Sequence, residues 1–199
     1  CIVKLSSSMA AMMKLNTGMR RMDSLMVASN IKKMSRLELF YTCVANLARR
    51  MKKLEDPALP EGLLHYTQED DHNKVLYHNR SEDTDSKTEQ VLKDAVLILS
   101  ACGSRYDEYS EYQLLIRAIK EQTKTDANGN LTLKGKHEGM DSDTMQNPAD
   151  PDATYRKKSG EEHRGYIANV VEVTDDHHNS ITVDYQYEKN NYSDSQFLK

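Results

Sequence analysis

The sequence lacks several features that would assign it directly to a structural or functional class. Its 199 residues include no tryptophan, two phenylalanines and three cysteines. The cysteines, Cys1, Cys43 and Cys102, are odd in number, far apart and without CxxC spacing. That pattern argues against a disulfide framework and against a zinc site. It predicts buried thiols in a reducing, cytoplasmic setting.

Long apolar runs are also missing. A run such as Ala95–Leu99 is far shorter than the roughly 18 residues of a membrane-spanning helix, so we expect no membrane partner. No signal peptide is visible, and the chain begins at Cys1 without a methionine. At the other end, Ser193–Lys199 is typical of the opening of a helix. We therefore expect the sequence to be a piece of a longer protein.

No single charge dominates the whole chain, since the net charge is −4. This argues against a uniformly polybasic nucleic-acid binder. The charge is distributed unevenly, however. Met19–Lys53 has nine Lys or Arg against two Asp or Glu, whereas Glu55–Asp94 has four against eleven. A basic face directed at a polyanion and a basic helix packed on an acidic neighbour explain this equally well.

An acidic residue interrupts the apolar segment Met19–Asn30. Met22 to Ala28 are typical of a short, largely buried strand, and Asp23 lies within it. An ionised carboxylate in such a strand is costly unless it is paired, hydrogen-bonded or bound to a metal ion. Pairing with Arg20 or Arg21, capping a turn and binding a metal ion are the open alternatives.

The middle of the chain predicts a small helical bundle. Ser35 with Glu38, and Ser86 with Glu89, fit capping boxes that open the first two helices. Apolar residues then recur at helical spacing, and Ala95–Cys102 is apolar nearly all round, so we expect it to be buried. The predicted helices are Ser35–Leu54, Thr88–Cys102 and Asp107–Thr123.

Three histidines lie near acidic residues between the first two helices. They are His65, His72 and His78, and their spacing matches no metal-ligand pattern. Thr67–Asp85 is therefore expected to be a solvated loop or a frayed helix.

Two strand-like segments follow the helical region. Gly165–Thr174 and Ser180–Glu188 are rich in Val, Ile, Tyr and Thr, and the polar turn Asp175–Asn179 separates them. This order predicts an antiparallel hairpin. Asp184 alternates with the apolar side chains, so it is expected to be solvated. The apolar residues expected to form one buried face of the second strand are Ile181, Val183, Tyr185 and Tyr187.

Two stretches of the chain resemble the insertion-sequence transposases of bacteria that have an Asp-Asp-Glu catalytic core. One is DPDATYRKKSGEEHRGY at Asp150–Tyr166, followed by the hairpin and by NNYSDSQFLK. The other is RMDSLMVASNIKKMSRLEL at Arg21–Leu39, which places Asp23 in an Asp-Ser context. The two stretches occur in family order and cover about a third of the chain.

The resemblance implies an α/β fold (α+β in this piece) with a partial RNase H-like sheet. Strand one would be Met19–Ala28, strands two and three would form the Gly165–Glu188 hairpin, and a mainly helical insertion would separate them. The remaining strands, with the second Asp and the Glu, are expected after Lys199. The implied segments are the end of an N-terminal helical region (1–18), the first core strand (19–30), the helical insertion and linker (31–150), and the hairpin with the next helix (151–199).

The same resemblance implies the chemistry. Asp23 would be a catalytic carboxylate that binds Mg²⁺ or Mn²⁺ for in-line cleavage and strand transfer at transposon DNA ends, with self-association as a further expectation. One carboxylate cannot hold two such ions, so this piece alone is expected to be inactive. Four residues are predicted to contact DNA phosphates, although the negative charges of Glu161 and Glu162 partly offset their positive charge. They are Arg156, Lys157, Lys158 and Arg164.

Two other classes of function remain open. A non-catalytic DNA-binding fragment would use the basic Met19–Lys53 stretch, and a helical protein-interaction module would use the acidic Glu55–Asp94 stretch. Asp152, in the family-like motif before the hairpin, either caps a turn or approaches the catalytic site.

Overall fold

The protein has mixed α/β structure with antiparallel sheets, as the sequence predicts at this coarse level. The computed structural model describes residues 2–15, 20–77, 81–135, 138, 141–158, 160–175, 177 and 179–197. Its contacts divide the chain into two compact units. We call Cys1–Asn30 with Asp152–Lys199 the sheet unit, and Ile31–Pro151 the helical unit. Which segments form a catalytic core or an insertion stays a prediction.

The helices and strands are as follows. The helices are α1 (Ile2–Met12), α2 (Arg36–Lys53), α3 (Asp71–Leu76), α4 (Ser81–Cys102) and α5 (Ser110–Gln122), with 3-10 turns at Glu61–Thr67 and Gly103–Tyr106. The strands are β1 (Arg20–Ala28), β2 (Thr123–Thr125), β3 (Leu131–Leu133), β4 (Thr154–Lys158), β5 (Glu161–Thr174) and β6 (Ser180–Lys189).

Helix α2 is the centre of the helical unit. It begins as predicted, because the Ser35 hydroxyl accepts the Glu38 N–H at 3.1 Å and so satisfies one free amide of the first turn. Phe40, Val44 and Leu47 are fully buried. They lie on the helix that packs against α4 and α5, and their burial contributes hydrophobic stabilisation to this packing.

Helix α4 begins earlier than its predicted capping box. Ser86 lies inside the helix, where its hydroxyl donates to the Asp83 carbonyl oxygen at 3.1 Å instead of accepting an N-terminal amide. The expected burial of Ala95–Cys102 is only partial, since Val96 and Leu97 are 40% and 49% exposed. The apolar composition did not distinguish the packed side of this helix from the open one.

The sheet unit is organised around β5, the longest strand. β1 runs antiparallel along β5 from Arg20 opposite Val173 to Ala28 opposite Gly165. β6 also pairs with β5 antiparallel, which confirms the predicted hairpin. β4 pairs with the first residues of β5. The predicted strand at Met19–Ala28 is present as β1, although Met19 itself is outside the described residues.

A β-bulge overturns the predicted buried face of β6. The register shifts between Val171 and Glu172, which leaves Val183 as an extra residue in β6. Ile181 and Val183 therefore pack with Val173, with Ala10 of α1 and with Leu15, which follows that helix. Tyr185 and Tyr187 fall on the opposite face, where they are 55% and 50% exposed.

Gly165 permits the close approach of β1 to β5. Its φ is +144°, and a Cβ atom there would overlap the Val27 carbonyl oxygen and lie 2.6 Å from Ser29 N. Only glycine accommodates both the backbone conformation and this contact.

Among the described residues, no helix combines the length and the apolar character needed to cross a membrane.

Candidate functional site

Asp23 lies in the middle of β1, opposite Val170 of β5. It is exposed, as are Leu25 and Val27, so the expectation of a largely buried strand is wrong. The Asp23 Oδ1 atom accepts the N–H of Ser24 at 2.9 Å. The carboxylate is therefore solvated and bonded to its neighbouring backbone, and it bears no burial cost that a metal ion would have to offset.

The surroundings of Asp23 follow from the strand pairing. Side chains of directly paired residues lie on one face of a sheet, so Asp23 shares its face with Val170 and with Tyr185, the β6 partner of Val170. The Tyr166 and Tyr187 rings stack on this face with 5.0 Å between their centroids. We call this surface the open face. Its exposed members are Asp23, Leu25, Val27, Tyr185 and Tyr187.

The opposite face carries a contact that the sequence did not predict. The Ser24 hydroxyl donates to Asp194 Oδ1 at 3.0 Å. Ser24 pairs with Asn169, which is 2% exposed and whose Oδ1 atom has no hydrogen-bond partner among the residues that the structure describes. Because Ser24 and Asp23 are consecutive strand residues, their side chains point to opposite faces. Asp194 therefore does not join Asp23 in one site.

The predicted helix opening at Ser193–Lys199 is a series of turns over the described residues up to Phe197. The Gln196 side chain accepts the Ser193 N–H at 2.8 Å. Phe197 is buried and its ring packs edge-on against Tyr192, with 4.8 Å between the ring centroids.

Two of the four predicted phosphate-binding residues make internal contacts. The Arg156 guanidinium donates to the carbonyl oxygens of Asn190 and Tyr192 at 3.3 Å each. Arg164 donates to Glu162 Oε2 at 2.9 Å and lies over the Tyr155 ring. Both arginines therefore contribute to the packing of the sheet unit.

Lys157 and Lys158 are the accessible members of the predicted phosphate-binding set. Both are exposed at the end of β4. They pair across the strands with Glu162 and Glu161 respectively. The acidic neighbours offset part of the positive charge. A phosphate interaction where β4 turns into β5 therefore depends on these two lysines.

Asp152 forms an ion pair with Lys189, with 3.0 Å between Oδ1 and Nζ. Lys189 is the β6 partner of Tyr166, which lies four residues along β5 from Val170, the partner of Asp23. That spacing corresponds to about 13 Å along a strand. The structure therefore does not bring Asp152 to Asp23. Asp184 is exposed, as predicted, and its Oδ1 accepts the N–H of Tyr185 at 2.9 Å.

The predicted loop between the first two helices contains an ordered polar cluster. Asp71, on α3, is 8% exposed and accepts the Tyr41 hydroxyl at 2.7 Å. His65 Nδ1 lies 2.9 Å from the same carboxylate oxygen. Burial and the bond to Asp71 raise the pKa of Tyr41 above its usual range. The cluster joins α3 to α2, so Asp71–Leu76 within the predicted loop or frayed helix is an ordered short helix.

The other histidines of this segment do not complete a metal site in the described structure. His72 Nε2 lies 3.9 Å from Glu38 Oε1, and His78 is outside the described residues. Nowhere in the described ranges do three or more His, Cys, Asp or Glu side chains form a group that could hold a metal ion.

Comparison with known proteins adds no assignment. No protein-family model, curated protein or solved structure matches the chain. The functional argument therefore rests on the residues and on their geometry, with Asp23 as the candidate ligand and Lys157 and Lys158 as the candidate phosphate contacts.

Proposed function

We propose that this chain is part of an Asp-Asp-Glu transposase with an RNase H-like core, which cleaves and joins DNA at transposon ends. The observation that carries the proposal is the pairing of β1 with β5. β1 bears Asp23, and the chain passes through the whole helical unit before β5 begins. The proposal requires strand one and the later hairpin to belong to one sheet, and the pairing meets that requirement.

The position of Asp23 supports its proposed role. Mg²⁺ and Mn²⁺ prefer oxygen ligands, and the Asp23 side chain is exposed on the open face, where among the described residues only its Oδ1 atom is hydrogen-bonded, to Ser24 N. The Oδ2 atom is left to coordinate a cation. A bound metal ion would supply charge neutralisation and nucleophile activation for phosphodiester cleavage. Asp23 fits one ligand position, so we expect the isolated chain to bind the ion weakly and to be catalytically inactive.

Metal binding by Asp23 is tested with a matched pair of variants. Mn²⁺ broadens the amide NMR signals of residues near its binding site, and we expect this broadening to centre on β1 and to disappear in Asp23→Asn. Asp184→Asn is the control, because Asp184 is also an exposed strand aspartate bonded to the next N–H. Equal loss in both variants, or no broadening of β1 in the wild type, would contradict the proposal.

Catalysis is tested on DNA that carries terminal repeats. We expect no nicking or strand transfer by the isolated chain with Mg²⁺ or Mn²⁺. Robust turnover that depends on Asp23 would refute the expectation that this chain is inactive alone.

The DNA contact is tested through the salt dependence of binding. Each lysine that neutralises a phosphate contributes to the slope of affinity against salt concentration. Lys157→Gln with Lys158→Gln should flatten that slope, whereas Arg156→Gln should act mainly on stability, since Arg156 bonds backbone carbonyls. An unchanged slope in the lysine variant would exclude Lys157 and Lys158 from the DNA interface.

A helical protein-interaction module is the second candidate function, and one observation favours it. A groove of about 790 Å³ lies between α4 and β3 in the helical unit. Val96, Leu97 and Leu131 line it and are 40%, 49% and 44% exposed. This candidate predicts no DNA affinity at moderate salt. A non-catalytic DNA-binding fragment instead predicts salt-dependent binding that survives Asp23→Ala.

A further inference from the structure

The sheet has two outer strand edges in the part of the chain that the structure describes. β5 pairs with β1 and with β6, and each of these strands has a second edge without a strand partner there. Ser29 N–H donates to Arg164 O, so alternate amides of β1, including that of Ser24, point away from β5. Asn190 N–H donates to Gly165 O, so the Tyr185 amide likewise points outward from β6.

An aspartate side chain accepts a hydrogen bond from each of these two outward amides. Asp23 Oδ1 accepts the Ser24 N–H at 2.9 Å, and Asp184 Oδ1 accepts the Tyr185 N–H at 2.9 Å. Both aspartates are exposed and lie near the middle of their strands. The same device therefore occurs at both edges, in strands of unrelated sequence.

Unpaired amides on an exposed strand are a template for another strand. A carboxylate bound to such an amide removes the donor and places a negative charge where the incoming backbone would lie. We propose that Asp23 and Asp184 cap the two outer edges of this sheet and prevent a second copy of the chain from adding a strand there.

A strand from a second copy of the chain is what the two edges would otherwise accept. β1 contains Arg20, Arg21 and one acid, whereas β6 contains Asp184, Glu188 and one lysine. The two strands therefore have opposite net charges, which favours pairing of β1 with β6 of another copy. The open face would continue across such a joint, since Leu25 and Tyr187 are about half exposed on either side of it.

This pairing would be heterologous, because different edges of the two copies meet. A heterologous contact that does not close extends into a filament. The caps thus oppose assembly twice, through the lost donors and through the carboxylate charge that each edge would bring into the joint.

The proposal is tested by self-association of the full chain, measured by light scattering after size exclusion across a wide concentration range. We expect Asp23→Ala and Asp184→Ala each to strengthen association by about tenfold, because one donor is freed and one charge removed. The double variant should form growing oligomers. In the monomer, hydrogen exchange at the Ser24 amide should accelerate in Asp23→Ala, and that at the Tyr185 amide in Asp184→Ala.

Two controls separate capping from net charge. Glu188→Ala removes one negative charge from β6 but leaves the Tyr185 cap, so its association should match the wild type. Asp23→Asn and Asp184→Asn keep an acceptor oxygen, so the self-association of these variants should remain close to that of the wild type. Association by Glu188→Ala equal to that by Asp184→Ala, or unchanged association and exchange in both alanine variants, would overturn the proposal.

The Asp184 arm of this test is independent of the transposase proposal. Asp184 has no role in metal binding as proposed here, so Asp184→Ala tests the cap alone. It also carries the test if Asp23→Ala fails to fold.

Discussion

Replacement of Gly165 by alanine should detach β1 from the sheet. The new Cβ atom would overlap the Val27 carbonyl oxygen and lie 2.6 Å from Ser29 N, and both are backbone atoms that cannot rotate away. The φ of +144° at this position is also unfavourable for any residue with a Cβ atom. The substitution therefore combines a steric overlap with backbone strain.

The size of the effect follows from these two contributions. Overpacking in a well-packed region costs about 1–3 kcal/mol, and a non-glycine residue in a sparsely populated backbone conformation costs about 1–3 kcal/mol. The reduced entropy of the unfolded chain returns about 0.4–1 kcal/mol. We expect Gly165→Ala to destabilise the pairing of β1 by about 2–5 kcal/mol.

Gly160→Ala is the matched control, since Gly160 has a φ of +90° but its added Cβ meets no atom within 4 Å among the described residues beyond its chain neighbours. Hydrogen exchange of peptides covering β1, read beside urea unfolding, separates local detachment from global unfolding. Gly165→Ala should lose protection in β1, and Gly160→Ala should show only the effect of strain. If the two variants were equally stable and β1 stayed protected, the close approach of β1 to Gly165 would be refuted.

Three further predictions concern the helical unit. Leu47→Ala should destabilise it by about 2–5 kcal/mol in urea unfolding, because Leu47 is fully buried and its truncation leaves a cavity; a loss below about 1 kcal/mol would contradict that packing. The raised pKa of Tyr41 stabilises the fold below the ordinary tyrosine pKa of about 10, and this stability should be lost as pH rises above it. The urea midpoint should therefore fall between about pH 9 and about pH 11, and less steeply in Tyr41→Phe; equal slopes would exclude Tyr41 as a source. Burial raises the pKa of the Cys43 thiol to about 12 and that of Cys102 to about 11. Mass spectrometry after treatment with a thiol reagent should find both unmodified until urea unfolds the chain, and modification under native conditions would refute their burial.

The elements that the sequence predicted correctly are those with local signals. α2 has a capping serine and regular apolar spacing, and the β5–β6 hairpin has two β-rich segments around a polar turn. Ser86 shows the limit of such signals. Its spacing to Glu89 copies that of Ser35 to Glu38, but helical residues already precede it. A capping box opens a helix only where the preceding residues leave the helical conformation.

The features that the sequence did not predict depend on contacts between distant residues. The bulge in β6 is a property of its pairing with β5, so the exposure of Tyr185 was hidden from simple alternation. The packing role of Arg156 depends on Asn190 and Tyr192, which are remote in sequence. Asp23 was identified from its unusual neighbours, but its bond to Ser24 and its exposure required the edge position of β1.

The separation of β1 from β5 along the chain has a consequence for the order of folding. Pairing of Ala28 with Gly165 closes a loop of about 137 residues, and the entropic cost of closure grows with the logarithm of loop length. Within the helical unit, the Asn147 side chain donates to the Lys32 carbonyl oxygen at 3.0 Å, which holds the two ends of that unit together.

Once the helical unit has folded, the remaining loop is about 22 residues, and closure becomes easier by about 1–2 kcal/mol. The helical unit is therefore expected to fold first. By holding its two chain ends together, it lowers the entropic cost of pairing β1 with β5. Asn147→Ala removes the hydrogen bond to Lys32. It would therefore slow the pairing of β1 with β5 without changing any residue of the sheet.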